Sequence, residues 1–161
     1  MPKKQPGQWV LLCYRLPREP STPRITVWRN LKRLGVGQLA DGLVTLPADA
    51  RTREQLEWIA ERVVESGGEA SIWLAQPATL AQEQQVVDAM KAARGSEYQA
   101  VIDEAAAADD LDDRERGRVA TRLAAELGRI ERRDFFPPVH RDRARASVRA
   151  ITAAPVPKAP Q

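Results

Sequence analysis

Six consecutive apolar or aromatic positions, Trp9 to Tyr14, open the patterned part of the chain. A run without polar alternation predicts a strand covered on both faces and central in its sheet. Pro17 and Pro20 end it, and Thr22-Pro23 marks a helix start, since proline at the first helical position gives up no needed hydrogen bond. Val27, Trp28, Leu31 and Leu34 then recur at helical spacing, and Gly35 supplies a C-terminal stop. Asp41-Gly42, between Val36–Ala40 and Leu43–Pro47, is a hairpin signal in which both turn positions take positive φ. Thr52 with Gln55 reads as a capping box ahead of Leu56, Ile59, Ala60, Val63 and Val64, a one-faced helix stopped by Gly67-Gly68. Ala70, Ile72 and Leu74 alternate with Ser71 and Trp73 in a last strand closed by Pro77.

The order strand, helix, strand, strand, helix, strand predicts an α+β fold. Its economical form is a ferredoxin-like βαββαβ sandwich over residues 8–76, an antiparallel sheet with two helices on one face. A helical C-terminal extension follows over residues 79–151, with 1–7 and 152–161 as flexible tails. In the extension, Thr79 and Gln82 cap a helix whose stripe Val86, Val87, Met90, Ala93 ends at Gly95. Ser96 and Gln99 cap a second before Val101, Ile102, Ala105 and Ala106. Asp109, Asp110, Asp112 and Asp113 suit the positive end of a long helix with Val119, Leu123, Leu127 and Ile130 on its apolar side. That side is read as a dimer interface, making a homodimer an expected partner.

With 161 residues the chain can bury a core without disulfides, and its single cysteine favours a reducing, cytoplasmic setting. No apolar run is long enough for a leader or a membrane span, so no membrane association is expected. The net charge of +3 conceals strong segregation. Residues 1–39 hold eight basic and one acidic side chain, residues 40–113 five and sixteen, and residues 114–161 twelve and five. Such blocks suit separate surfaces facing separate partners, or pairing of the acidic centre with the basic ends.

Arg15, Arg18, Arg24, Arg29, Lys32 and Arg33 crowd the first helix and its approach against Glu19 alone. Guanidinium forks match phosphate oxygens, so these six are candidate nucleic-acid contacts. Arg114, Arg118 and Arg122, spaced four apart on the long helix, extend the set. The competing reading is solvated faces with pairs such as Arg122–Glu126. Trp9, Trp28 and Cys13 are read as core, which makes Cys13 an inert thiol. Trp58 falls off its helix's apolar stripe and is read as exposed or interfacial. His140 stands apart from any cysteine or histidine cluster, so no metal site is assigned. Hydrolase, P-loop, zinc-protease and dinucleotide signatures are absent; no catalytic residue and no cofactor are assigned, and the chain is read as non-enzymatic.

Several of these residues also carry a family likeness. Trp9-Val10-Leu11-Leu12, the run Tyr14-Arg15-Leu16-Pro17-Arg18-Glu19-Pro20-Ser21-Thr22-Pro23-Arg24, Trp28-Arg29 and Leu34-Gly35 resemble the N-terminal domain of the ChrB family of chromate-resistance regulators. Asp41-Gly42-Leu43-Val44, Leu46-Pro47, Gly67-Gly68 and Arg133-Asp134-Phe135-Phe136 agree with the same pattern. The layout is more distantly similar to the ferredoxin-like middle domain of PaaX-type repressors. The resemblance implies a chromate-responsive, DNA-binding transcriptional regulator, or its DNA-binding part, with DNA contact from the basic N-terminal region. The resemblance also implies a two-domain arrangement in full-length ChrB proteins, with a further C-terminal domain expected to lie beyond the end of this sequence. The alternatives are therefore an interaction module that partners a separate sensor protein and, more remotely, a metal-dependent nuclease.

Overall fold

A computed structural model of the protein describes residues 5–153; Met1 to Lys4 and the last eight residues, which hold most of the expected tails, lie outside them. The elements are β1 (Trp9–Arg15), α1 (Thr22–Leu34), β2 (Gly37–Ala40), β3 (Leu43–Pro47), α2 (Ala50–Glu65), β4 (Glu69–Ala75), α3 (Leu80–Ala107), α4 (Asp113–Arg132) and α5 (His140–Thr152). Two compact units divide at Met90 and Lys91, inside α3.

In the first unit the strands form one antiparallel sheet in the order β2-β3-β1-β4. The expected α+β class and βαββαβ order are therefore present, with β1 central. Val10, Leu12, Val44 and Leu46 form one face of the sheet and are wholly buried, as are Leu31 of α1 and Leu56 and Val63 of α2. Each such side chain contributes about 1.5–3 kcal/mol relative to exposure.

The other face is covered along only part of its length. Glu83 in the first turns of α3 accepts from Gly7 N at 2.7 Å and Trp9 Nε1 at 2.9 Å. Val86 and Met90 close over Gly37, where a Cβ would already crowd their side chains. Toward the end of β1 this cover stops, and Cys13 and Arg15 are exposed. The uniform apolar run is thus not buried on both faces throughout, and Cys13 is a surface thiol rather than core.

Three local readings shift. Ser21 holds the N-terminal boundary of α1 without a side-chain cap bond, and Pro23 is the second helical residue, not the first. Helix α2 starts earlier than expected: Asp49 accepts from Thr52 N at 2.7 Å and Thr52 Oγ1 accepts from Asp49 N at 3.0 Å. Thr52 is therefore the third residue of a reciprocal box and not its cap. In the hairpin only Gly42 takes positive φ, at 72°, because Asp41 stays on the usual side. Gly42 also backs onto the Tyr14 carbonyl, leaving no room for a Cβ.

In the second unit, the expected break at Gly95 is missing and α3 runs through it. Ser96 Oγ donates back to Ala92 O at 3.2 Å, and Gln99 bonds Asp103, so neither acts as a cap. Tyr98, Val101 and Ala105 of α3 join Leu123 and Ile130 of α4 and Ala144, Val148 and Ile151 of α5 in one core. Val119 and Leu127 are half-buried against the same core. The stripe assigned to a dimer interface is thus used inside this unit; Leu123 and Ile130 are each only 1% exposed. Packing of α5 against α4, from a segment with a weak apolar pattern, takes up that face.

Candidate nucleic-acid interface

The open end of the sheet forms a cleft of about 1200 Å³. Its walls come from the end of β1 and the following loop, the first half of α1, the β2–β3 turn and the start of β4. The loop carries a cis peptide at Glu19-Pro20. Period-two alternation puts Cys13 and Arg15 on the uncovered face of β1. Helical spacing puts Arg24, Trp28 and Lys32 in one row along α1, with Arg29 and Arg33 in a second row farther around toward solvent.

Arg15, Arg18 and Arg24 all line the cleft, together with Tyr14, Trp28, Ser21 and Ser71. Trp28 is half-buried, a cleft wall as much as a core residue. Lys32 Nζ stands 5.6 Å from the centre of its ring. The Tyr14 phenol has its pKa raised, chiefly by burial; nearby Arg24 opposes the shift and Asp41 adds to it. The hydroxyl therefore stays protonated at neutral pH and keeps a donor for an anion. Asp41 and Glu69 are the carboxylates among the lining residues.

Among the described residues, the side chains of Arg15, Arg18, Arg24, Arg29 and Arg33 form no ion pair or hydrogen bond, whether with Glu19 or with the acidic central segment. The alternative of a basic helix neutralised by the chain's own acids does not describe this region. It does describe much of the C-terminal unit. Arg122 meets Glu104 at 2.6 Å, in place of the expected Glu126. Glu126 instead takes Arg129 at 2.7 Å and Arg133 at 3.8 Å. Arg145 holds Glu131 at 2.6 Å. Of the three arginines assigned there as nucleic-acid contacts, Arg114 and Arg118 are exposed without an ion pair and Arg122 is paired.

Buried polar groups unmarked in the sequence reading explain the Arg133-Asp134 motif. Arg94, 8% exposed, pairs with Glu97 at 3.0 Å and donates to the Arg133 carbonyl at 3.3 Å. Burial lowers its pKa, while Glu97 opposes that shift. Arg133 reaches the same Glu97 at 3.1 Å, and Tyr98 Oη donates to Asp134 Oδ2 at 2.6 Å. The motif thus fastens the end of α4 to α3. Trp58, by contrast, is 46% exposed as its position off the stripe suggests, with the Arg62 guanidinium 4.8 Å from its ring centre.

Comparison with known proteins gives two matches. The family model described as Protein ChrB, N-terminal, matches residues 24–133. Protein ChrB of Cupriavidus metallidurans (strain CH34) is 30% identical over 158 residues, 96% of this chain. The chain spans about half the length of that relative, 48%. No solved structure gives a significant match.

Proposed function

The chain belongs to the ChrB family, and from that membership we propose that it acts as the DNA-binding part of a chromate-resistance transcriptional regulator. Arg15, Arg18 and Arg24 grip phosphate oxygens at the cleft, where guanidinium forks can bind two oxygens at once. The Tyr14 hydroxyl offers a neutral donor beside them, and the positive N-terminal end of α1 adds to the attraction. Lys32, Arg29 and Arg33 carry the basic surface along α1 to further phosphates. Such contacts supply affinity and register; base readout requires additional reach into a groove.

The observation that carries this reading is that five arginines crowd one helix and its approach with no carboxylate partner among the described residues. Unpaired cations of this density suit a polyanion, because each neutralised phosphate releases counterions. Titration of DNA from upstream of the chain's own gene, followed by fluorescence anisotropy at several salt concentrations, tests it. Affinity should fall steeply with salt, and Arg24→Ala or Arg29→Ala should flatten the log–log slope by about one. Absence of binding at 50 mM salt would remove the proposal and favour an interaction module serving a separate sensor protein.

A further inference from the structure

We infer that β4 is the pairing edge of a homodimer, in which two copies join their sheets by antiparallel β4–β4 contact centred on Ile72. The inference is independent of what the cleft binds.

Backbone direction identifies the free groups. Tyr14 N donates to Gly42 O on the β3 side of β1. By antiparallel alternation, Leu11 and Cys13 face β4 and exchange bonds with their opposed residues Trp73 and Ser71. The N–H and C=O groups of Ala70, Ile72 and Leu74 therefore point away from β1, along the outer edge of the sheet. No backbone hydrogen bond outside the sheet reaches these three among the described residues.

Sheets normally protect such an edge with lysine, proline, a bulge or a very short strand. The opposite edge follows that rule: β2 has four residues and an irregular register between Gln38 and Ala40. Strand β4 has seven residues, EASIWLA, with an unbroken register and none of those guards. Large apolar side chains flank it instead. Trp73 is 60% exposed on one face of the sheet and Leu74 is 54% exposed on the other. Val64, 57% exposed, lies on the side of α2 turned away from α1.

A second copy is the occupant that this edge fits. Antiparallel pairing centred on Ile72 sets Ile72 opposite itself, Ala70 opposite Leu74 and Leu74 opposite Ala70. All three positions then exchange both backbone bonds. Glu69 is the strand's only charge and falls opposite Ala75, so no like charges meet. The same two-fold carries Leu74 to the end of β4 where α2 delivers Val64, since Val63 packs beside Gly68 just before the strand. Each copy thus offers Leu74 to the other's Val64, and the contact is isologous. The result is a continuous eight-stranded sheet.

Sedimentation equilibrium of the full chain tests the pairing. The wild type should be dimeric at 50 µM, and Leu74→Lys should raise the dimer dissociation constant at least tenfold with unchanged circular dichroism. Adding Ala70→Glu to Leu74→Lys sets glutamate opposite lysine twice across the two-fold and should restore the dimer. Wild-type amide exchange at Ala70, Ile72 and Leu74 should slow as protein concentration rises, a readout independent of any variant. A monomeric wild type, a dimer unaffected by Leu74→Lys, loss without rescue by Ala70→Glu, or concentration-independent exchange would each overturn the inference.

Discussion

Tyr98 donates its phenol proton to Asp134 Oδ2 at 2.6 Å, joining the middle of α3 to the residues just beyond α4. The tyrosine is fully buried, and its neighbours in the core are apolar. Removing the hydroxyl leaves the carboxylate without that donor, so Tyr98→Phe should cost about 1–3 kcal/mol, read by urea denaturation. Burial, then the bond to Asp134, hold the phenol's pKa far above its ordinary 10.0. A raised pKa means that the folded state binds the proton more tightly. The contribution is complete below pH 10 and declines as pH rises above it. Wild-type stability should therefore fall more steeply than that of Tyr98→Phe above pH 10.

Gly42 is required twice, by its φ of 72° and by the Tyr14 carbonyl against its Cα. Gly42→Ala meets both constraints and should destabilise the first unit by about 1–3 kcal/mol. The same turn lines the cleft. If the proposed DNA contact is correct, Gly42→Ala should also weaken DNA binding at a temperature where the variant remains folded. Unaltered melting would show that this turn is relaxed.

Arg122 and Arg24 should respond differently to alanine. Arg122 is already engaged by Glu104 at 2.6 Å, whereas Arg24 has no carboxylate partner among the described residues. Arg122→Ala should change DNA affinity less than twofold; Arg24→Ala should reduce it about tenfold, the 1.4 kcal/mol expected of one charge-assisted contact. Anisotropy titrations at one fixed salt concentration distinguish them. Equal losses would assign DNA contact to both units.

Cys13 lies exposed in the cleft wall. A maleimide should therefore label it stoichiometrically in the native protein, without denaturant. Prior addition of DNA should slow the reaction if DNA occupies the cleft. Labelling that required unfolding would contradict the exposed position.

Much of the first unit was legible because its signals are local. Gly35 ends α1 with φ 75°, the Asp41-Gly42 turn joins β2 to β3, and Leu56, Ile59 and Val63 define the buried side of α2. Elsewhere neighbours decided between locally equivalent patterns. Asp49 outcompeted Gln55 for the α2 box because its carboxylate lies within reach of Thr52 N. The run through Cys13 could not reveal where α3 stops covering the sheet. Gly95 did not break α3, although helix propensity disfavours glycine there.

The sequence by itself determined the strand and helix order, the hairpin and the basic character of α1, since each follows from side-chain period or backbone preference within a few residues. The same string also contained the motifs of the ChrB family. Only tertiary structure decided which charges remain unpaired, which apolar stripes are consumed and which strand edge is free. Arg122 and Arg24 look alike along the chain, but Glu104, eighteen positions before Arg122, meets one and no carboxylate among the described residues meets the other. Leu123 and Leu74 are equally apolar, but α5 helps to enclose the first and nothing among the described residues buries the second. These outcomes depend on contacts between distant segments, which period and propensity do not encode.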